Sequence, residues 1–379
     1  MTNAIPLIVP YLGDEEVQAA AEAIKSGWVA QGPRVAEFEA LFAKTVGAEE
    51  GVAVSSATAG LHLALISLGI GAGDEVVVPS LSFIATANAP RYVGATPVFA
   101  DVDPHTFNVT ARTIKGVITD RTKAVIVVHQ LGMPVDLDTI RTLCAHRGIA
   151  IVEDAACAIG STYQGEPIGR HSDHVVFSLH PRKLLTTGEG GMVTVRDERV
   201  AARLRRLRQH GMSVAADDRE QAQTPVEEYV EFGFNYRMTD IQAAIGLVQL
   251  GKLDEIVERR RDLAADYARA FAAVPGVTVP SDPLYGTTNY QSYSLRIGAG
   301  ATADRDEVIE ALLAQDIASK PALRAAHHEP AFQGHPHGPL PVTDQIHRDG
   351  LLLPLFHEMT DEQQTRVIDA VSSVVVGGA

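Results

Sequence analysis

The chain is poor in cysteine, and this scarcity excludes several kinds of site. Its 379 residues include two cysteines, Cys144 and Cys157. Two thiols are too few for a disulfide framework, a four-thiolate zinc site or a cysteine-ligated iron–sulfur cluster. We therefore expect both cysteines to be small buried residues of a protein from a reducing compartment.

Positive charge and long apolar runs are also scarce. There are 32 Lys and Arg residues against 47 Asp and Glu, a net charge of −15. This balance argues against nonspecific binding to nucleic acids or anionic membrane surfaces. No stretch has the length and apolarity of a transmembrane helix, and residues 1–10 lack the basic and apolar regions of a signal peptide. We expect a cytoplasmic protein without nucleic-acid or membrane partners.

The middle of the chain predicts an α/β fold, because short β-branched runs alternate with segments that are apolar at helical spacing. The predicted strands are nearly continuous apolar runs, as in a mostly parallel sheet covered on both faces. They span 52–55, 75–79, 97–100, 124–129, 149–153, 174–178 and 192–195. Ligands of such sheets bind at the carboxyl ends of the strands.

The pattern changes after Gly233. A long charged helix is predicted over about 252–271, followed by short strands and a helix near 306–315. We expect a large domain over 1–250 and a smaller C-terminal α+β domain over 251–379 that begins with this linking helix. The glycine-rich run 69–73 follows a helix and precedes a strand, the reverse of a phosphate-cradling loop, so we interpret it as a helix end and turn.

Lys183 and Asp154 are the residues that carry the functional prediction. Lys183 lies in the run 177–183, directly before a glycine-rich segment, and Asp154 follows an apolar strand. A lysine amine can bond the aldehyde of pyridoxal phosphate, and a carboxylate can keep its pyridinium nitrogen protonated. Together, the two residues predict an enzyme that uses pyridoxal 5'-phosphate (PLP).

Ordered motifs along essentially the whole chain resemble the DegT/DnrJ/StrS family of sugar aminotransferases. The motifs begin with Ser-Gly-Trp at 26–28 and continue at 55–59, at 73–76, at 153–156, in the lysine run and in Asn-Tyr-Arg-Met-Thr-Asp at 235–240. The resemblance implies the type I fold of aspartate aminotransferase. It also implies a homodimer whose active sites lie at the subunit interface.

The resemblance also implies the positions that hold the cofactor. Ala57 and Thr58, at a strand-to-helix turn, match the phosphate seat, where backbone amides and the helix dipole favour an anion. Ser178 resembles a second phosphate hydroxyl, and Asn235 the residue that reaches the same phosphate from the partner subunit. Phe83 matches the aromatic side chain that stacks on the pyridine ring.

Two further positions are less uniform in the family. Cys157 stands where members usually carry Gln or His near the phenolic oxygen of the cofactor, and a thiol is a weak hydrogen-bond donor. The run Arg324 to His327 resembles a segment of the 4-amino-4-deoxyarabinose branch in which a histidine lies near the sugar; a histidine in a polar loop is the alternative. His180, His335 and His337 offer metal ligands only weakly, and we expect no metal site.

The predicted reaction is amine transfer to a nucleotide-linked keto sugar, with glutamate as the expected donor. The motif at 235–240 resembles the C4-amino branch, which acts on 4-keto-6-deoxyhexoses. A cyclitol or a C3-keto sugar is the alternative acceptor, and dehydration of a sugar is an alternative reaction. The related dehydratases replace the lysine or add a cysteine-ligated cluster, which the presence of Lys183 and the two cysteines disfavour. A DNA-binding or ligand-binding regulator is disfavoured by the acidic balance.

Overall fold

A seven-stranded sheet forms the centre of the molecule. The computed structural model describes residues 4–213 and 228–377. The strands of this sheet follow the spatial order β1-β9-β8-β5-β4-β2-β3, and all run parallel except β9. They are β1 (Glu50–Val54), β2 (Glu75–Pro79), β3 (Thr96–Ala100), β4 (Thr122–Val128), β5 (Ala150–Asp154), β8 (Val175–Ser178) and β9 (Gly191–Val195).

Helices cover both faces of this sheet. Alternate residues of β4 enter two different buried clusters, Val125 and Val127 in one and Ala124 and Ile126 in the other. This explains why the strand is apolar throughout. The helices up to the end of this sheet are α1 (Asp14–Lys25), α2 (Pro33–Thr45), α3 (Ala57–Ser67), α4 (Ile84–Tyr92), α5 (Ala111–Lys115), α6 (Leu137–Ala145) and α7 (Glu198–Leu207). The sequence patterns did not predict α1 and α2.

The later part of the chain forms a second, four-stranded sheet of order β10-β12-β14-β13. Its strands are β10 (Val277–Thr278), β12 (Tyr293–Ile297), β13 (Lys320–Pro321) and β14 (Gly350–Leu353). The helices here are α8 (Asp240–Gly251), α9 (Leu253–Phe271), α10 (Arg305–Leu313), α11 (Pro341–Asp349) and α12 (Asp361–Val376). Leu295, Leu351, Tyr267 and Val371 share one buried core from this sheet, α9 and α12.

A small three-stranded sheet connects the two parts of the chain. Here β6 (Thr162–Tyr163) pairs with both β7 (Glu166–Pro167) and β11 (Gly286–Thr287). The pairing brings the segment before β12 against the turn that follows β5. The division into domains over 1–250 and 251–379 stays a prediction; residues 1–3, 214–227 and 378–379 of these ranges lie outside the described residues. None of the described helices has the length and apolarity needed to cross a bilayer.

Candidate active site

The predicted site residues lie along one edge of the central sheet. Asp154 and Ser178 are the last residues of β5 and β8, and Ser55 follows β1. The antiparallel β9 begins at this same edge with Gly191, which pairs with both Val54 and Ser178. Parallel topology therefore collects at one edge groups that are far apart in sequence.

Lys183 reaches across this edge toward Cys157. Its Nζ lies 3.0 Å from Cys157 Sγ, and its backbone N–H donates to the carbonyl of His180 in a tight turn. Cys157 follows β5 by three residues, so the thiol and the Asp154 carboxylate both lie at the carboxyl end of this strand. The half-buried lysine is thus held within the site and does not extend into solvent.

Asp154 is a buried carboxylate with two hydrogen-bond donors. Thr86 Oγ1 donates to Oδ2 at 2.9 Å, and the backbone N–H of Ala156 donates to Oδ1 at 3.2 Å. Burial raises the pKa of Asp154, against the opposing effects of these hydrogen bonds and of the positive charge of Lys183. A cation placed at this carboxylate would offset the cost of burying its charge.

A second buried acid lies behind Asp154. His129 Nδ1 accepts the backbone N–H of Val135, so the hydrogen on Nε2 points to Glu153 Oε2, 3.0 Å away. Burial alone would raise the pKa of Glu153. The hydrogen bonds and charges of His129, Ser172 and Arg141 outweigh that effect and lower it. The neighbouring carboxylates Glu153 and Asp154 therefore have opposite pKa shifts.

The turn into α3 has the geometry of an anion seat. The Ser56 side chain caps the helix by accepting from the backbone N–H of Ala59 at 3.1 Å. Amides in the first helical turn, including those of Ala57 and Thr58, have no intrahelical acceptor and attract anions. A Cβ on Gly191 would lie 2.7 Å from the Ala57 nitrogen. Only glycine therefore lets β9 approach this turn so closely.

Phe83 and Asn235 both present exposed side chains near this edge. Phe83 is 73% exposed and precedes α4 in extended conformation, with its ring free to cover a flat ligand. Asn235 forms an isolated bridge with Gln209, and the carbonyl of its neighbour Tyr236 accepts from the backbone N–H of Ser55. The Asn235 segment therefore lies beside the turn that leads into the anion seat.

His327 lies near the loop that carries Phe83. Its Nδ1 is 2.7 Å from Ser80 Oγ, and its Nε2 is 3.0 Å from Asp344 Oδ1. His328 Nε2 lies 3.1 Å from the same oxygen, and the ligand atoms of His327, His328 and Asp344 lie within 4.8 Å of one another. Burial and the charge of His328 lower the pKa of His327. Hydrogen bonding to one carboxylate accounts for the closeness of the two imidazoles.

Sequence patterns missed the polar residues that hold this site together. Gln291 Oε1 accepts from the backbone N–H of Leu184 at 3.2 Å, and its Nε2 donates to the carbonyl of Arg182 at 2.6 Å. One amide thus binds the backbone on both sides of Lys183. Asn289 Nδ2 donates to the carbonyls of Cys157 and Ile159 at 2.9 and 2.7 Å. The sequence signal for these residues was the pair of side-chain amides, Asn289 and Gln291, directly before the apolar strand β12.

A family model described as the DegT/DnrJ/EryC1/StrS aminotransferase family matches residues 10–372. The chain belongs to this family. It is 40% identical to the spore coat polysaccharide biosynthesis protein SpsC of Bacillus subtilis (strain 168), over 98% of this chain and 97% of SpsC. The resemblance inferred from the motifs is confirmed.

Solved structures of similar proteins agree with this assignment. The aminotransferase TlmJ from Streptoalloteichus hindustanus has a TM-score of 0.91 at 38% identity, over 98% of this chain and 99% of TlmJ. Spr1654 from Streptococcus pneumoniae, at 28% identity, gives 0.91 in its PLP form, over 98% of both chains. Its PMP form gives 0.92, over 98% of this chain and 99% of Spr1654. The family member described here is a PLP-dependent sugar aminotransferase with the predicted α/β fold.

Proposed function

We propose that this sugar aminotransferase transfers the amine of glutamate to a nucleotide-linked keto sugar, in particular a 4-keto-6-deoxyhexose. The observation that carries this proposal is the Lys183 amine, 3.0 Å from Cys157 Sγ, at the sheet edge where the buried Asp154 carboxylate ends β5. Asn235 and the motif that follows it support the C4 position, because they resemble the C4-amino branch. The two free cysteines support a reducing compartment, and thus a cytoplasmic location.

The residues at this edge fit PLP. When bound, PLP supplies an aldehyde that accepts amines and a pyridinium ring that withdraws electrons from the attached carbon. Asp154 would hold the ring nitrogen, because a cation at its buried carboxylate would offset the cost of burying that charge. Ala57, Thr58 and Ser178 would hold the phosphate at the start of α3. Phe83 would stack on the ring.

In this proposal Lys183 has two roles: it bonds the cofactor and it transfers the proton. Its free amine, released when the donor amine replaces it, would take the proton from the donor Cα. Cys157, 3.0 Å from that amine, would face the same side of the site. Its thiol would leave the phenolic oxygen with a weaker hydrogen-bond donor than the Gln or His usual in the family.

We also propose a homodimer with shared active sites. Asn235 is exposed in the isolated chain, and the family resemblance assigns its amide to the phosphate of the partner subunit. Phe83 is likewise exposed to 73% although it is a large apolar side chain, which is consistent with cover by the cofactor and a second chain. His327, close to the Phe83 loop, would contact the sugar.

The visible absorption spectrum tests the proposal most directly. We expect a chromophore that borohydride attaches to Lys183 and that glutamate converts to the pyridoxamine form. Nucleotide-linked 4-keto sugars should then regenerate the starting spectrum, with the amino sugar as product. Regeneration only by 3-keto sugars or keto cyclitols would identify the alternative acceptors. A chromophore that glutamate leaves unchanged would contradict the donor and favour dehydration.

Gln291 provides a further prediction, because its amide binds the backbone on both sides of Lys183. Gln291→Met keeps the side-chain length but leaves the N–H of Leu184 and the carbonyl of Arg182 unpaired. Each unpaired group costs about 1–3 kcal/mol of unfolding free energy. Displacing the amine by about 1 Å costs up to ~100-fold in kcat. Denaturant unfolding and steady-state kinetics measure both effects.

Gln364→Met is the matched control for this substitution. Gln364 is also buried, and its Nε2 donates to the backbone carbonyl of Leu263 at 2.7 Å, within the core of the second sheet. We expect a loss of stability with little change in kcat. If Gln291→Met and Gln364→Met lost kcat equally, Gln291 would affect the enzyme through stability alone.

A further inference from the structure

A cleft beside the Lys183 loop contains two basic side chains without an acidic partner. It has a volume of about 290 Å³, and its polar lining consists of Arg182, Gln291, Ser292 and Lys320. The rest of the lining is apolar, from the N-terminal segment and from β14 and the residues after it. This volume is close to the lower end of the range of small-molecule sites, about 300–1,000 Å³.

The two basic groups are unpaired within the described part of the chain. Neither the Arg182 guanidinium nor the Lys320 ammonium makes a salt bridge there, and no aspartate or glutamate lines the cleft. Burial and the positive charges of Arg182 and Lys183 lower the pKa of Lys320. Three cations thus repel one another, with Lys183 and Lys320 half-buried and Arg182 exposed. An anion bound between them would relieve the repulsion.

The position of the pair relative to Lys183 indicates which anion it binds. Arg182 adjoins Lys183 in the chain, and the side-chain amide of Gln291, which also lines the cleft, binds the backbone on both sides of that lysine. In an amino-acid donor, a carboxylate is bonded to the same carbon that must reach the Lys183 amine. In a nucleotide-linked 4-keto sugar, the diphosphate lies across the sugar ring from the reacting carbon. An anion close to the reacting amine therefore fits the donor better.

We propose that Arg182 and Lys320 bind a carboxylate of the amino-acid donor. This inference rests on the proposed transamination. It assigns recognition of the donor to one side chain beside the central sheet and one side chain in the second sheet. Arg182 lies on the loop after β8, and Lys320 is the first residue of β13. The cleft therefore recognises the donor only when the two parts are packed together.

Calorimetric titration of the PLP-loaded enzyme with glutarate tests this assignment, because glutarate has two carboxylates but no amine and cannot react. We expect Arg182→Gln and Lys320→Gln each to raise the Kd of glutarate roughly 10–100-fold, the effect of losing one charge-assisted hydrogen bond. Titrations with UDP and dTDP should stay within about twofold of the wild type. Lys123→Gln is the control, since Lys123 is an exposed lysine near the amino end of β4.

Each contrary result has a distinct meaning. Unchanged glutarate affinity in both variants, or no glutarate binding by the wild type, would overturn the assignment. Weakened UDP or dTDP binding with unchanged glutarate binding would overturn it as well and show that the pair binds the diphosphate of the acceptor. If glutamate fails to convert the wild-type chromophore while glutarate binding still depends on Arg182 and Lys320, the proposed donor reaction fails and the carboxylate site stands.

Discussion

Replacing Lys183 with alanine is expected to abolish turnover and leave the fold intact. The side chain is half-buried, and its amine contacts the Cys157 thiol, so its removal deletes one polar contact and no part of the apolar core. Loss of the proton-transferring group alone costs about 10²–10⁴-fold in rate. Because the same amine also bonds the cofactor, we expect a loss at or beyond the upper end of that range.

Three measurements separate this effect from misfolding. The thermal unfolding midpoint of Lys183→Ala should stay close to that of the wild type, and some noncovalent cofactor should remain after gel filtration. Borohydride should no longer attach the cofactor to the protein. The control Lys123→Ala, at the opposite edge of the sheet, should behave as the wild type in all three. Transamination by Lys183→Ala at a rate near that of the wild type would disprove the role of the lysine.

Asp154→Asn is expected to reduce activity strongly while leaving the cofactor-free protein at least as stable as the wild type. Breaking a buried charge pair by changing one partner costs about 3–5 kcal/mol, which corresponds to a decrease of roughly 150- to 5,000-fold in rate. The asparagine side-chain oxygen would keep accepting from the backbone N–H of Ala156, and its amide nitrogen would donate to the hydroxyl oxygen of Thr86, so the local backbone should stay in place.

The stability result follows from the direction of the pKa shift. Burial raises the pKa of Asp154 in the cofactor-free fold. Its protonated form therefore stabilises the fold below the unfolded pKa, about 3.9, and this contribution is lost as the pH rises through the higher folded pKa. Once the pH exceeds the unfolded pKa, burial of this carboxyl therefore costs stability, and the neutral asparagine does not carry that cost.

Thermal melts with and without PLP at neutral pH measure this balance. The wild type should gain more stability from PLP than Asp154→Asn does, because only the carboxylate pairs with a cationic ring nitrogen. Glu153→Gln is the comparison variant, since Glu153 is a buried carboxylate whose pKa is lowered; it should lose stability with or without PLP. Equal losses of activity and cofactor-free stability in Asp154→Asn would make Asp154 a structural residue.

The sequence by itself determined the candidate reacting groups, because the motifs that contain them are short and local. Each strand-to-helix turn at the carboxyl edge is local, so Ala57 at the start of α3 and Asp154 at the end of β5 could be placed before any coordinates were known. Apolar runs buried on both faces predicted the parallel sheet, and motif resemblance gave the family and PLP. Lys183 and Asp154 could be assigned because the amine of one and the carboxylate of the other follow directly from residue type.

Tertiary structure decided how these groups are held and what surrounds them. The amide of Gln291 binds residues 107 and 109 positions away in sequence, and Lys320 meets Arg182 because the second sheet packs beside the Lys183 loop. Such contacts depend on the packing of two sheets, and no local periodicity encodes them. The pKa of Asp154 likewise depends on burial by distant segments. The candidate reacting groups could therefore be predicted from sequence, whereas the contacts that hold them and the cleft beside Lys183 depend on the fold.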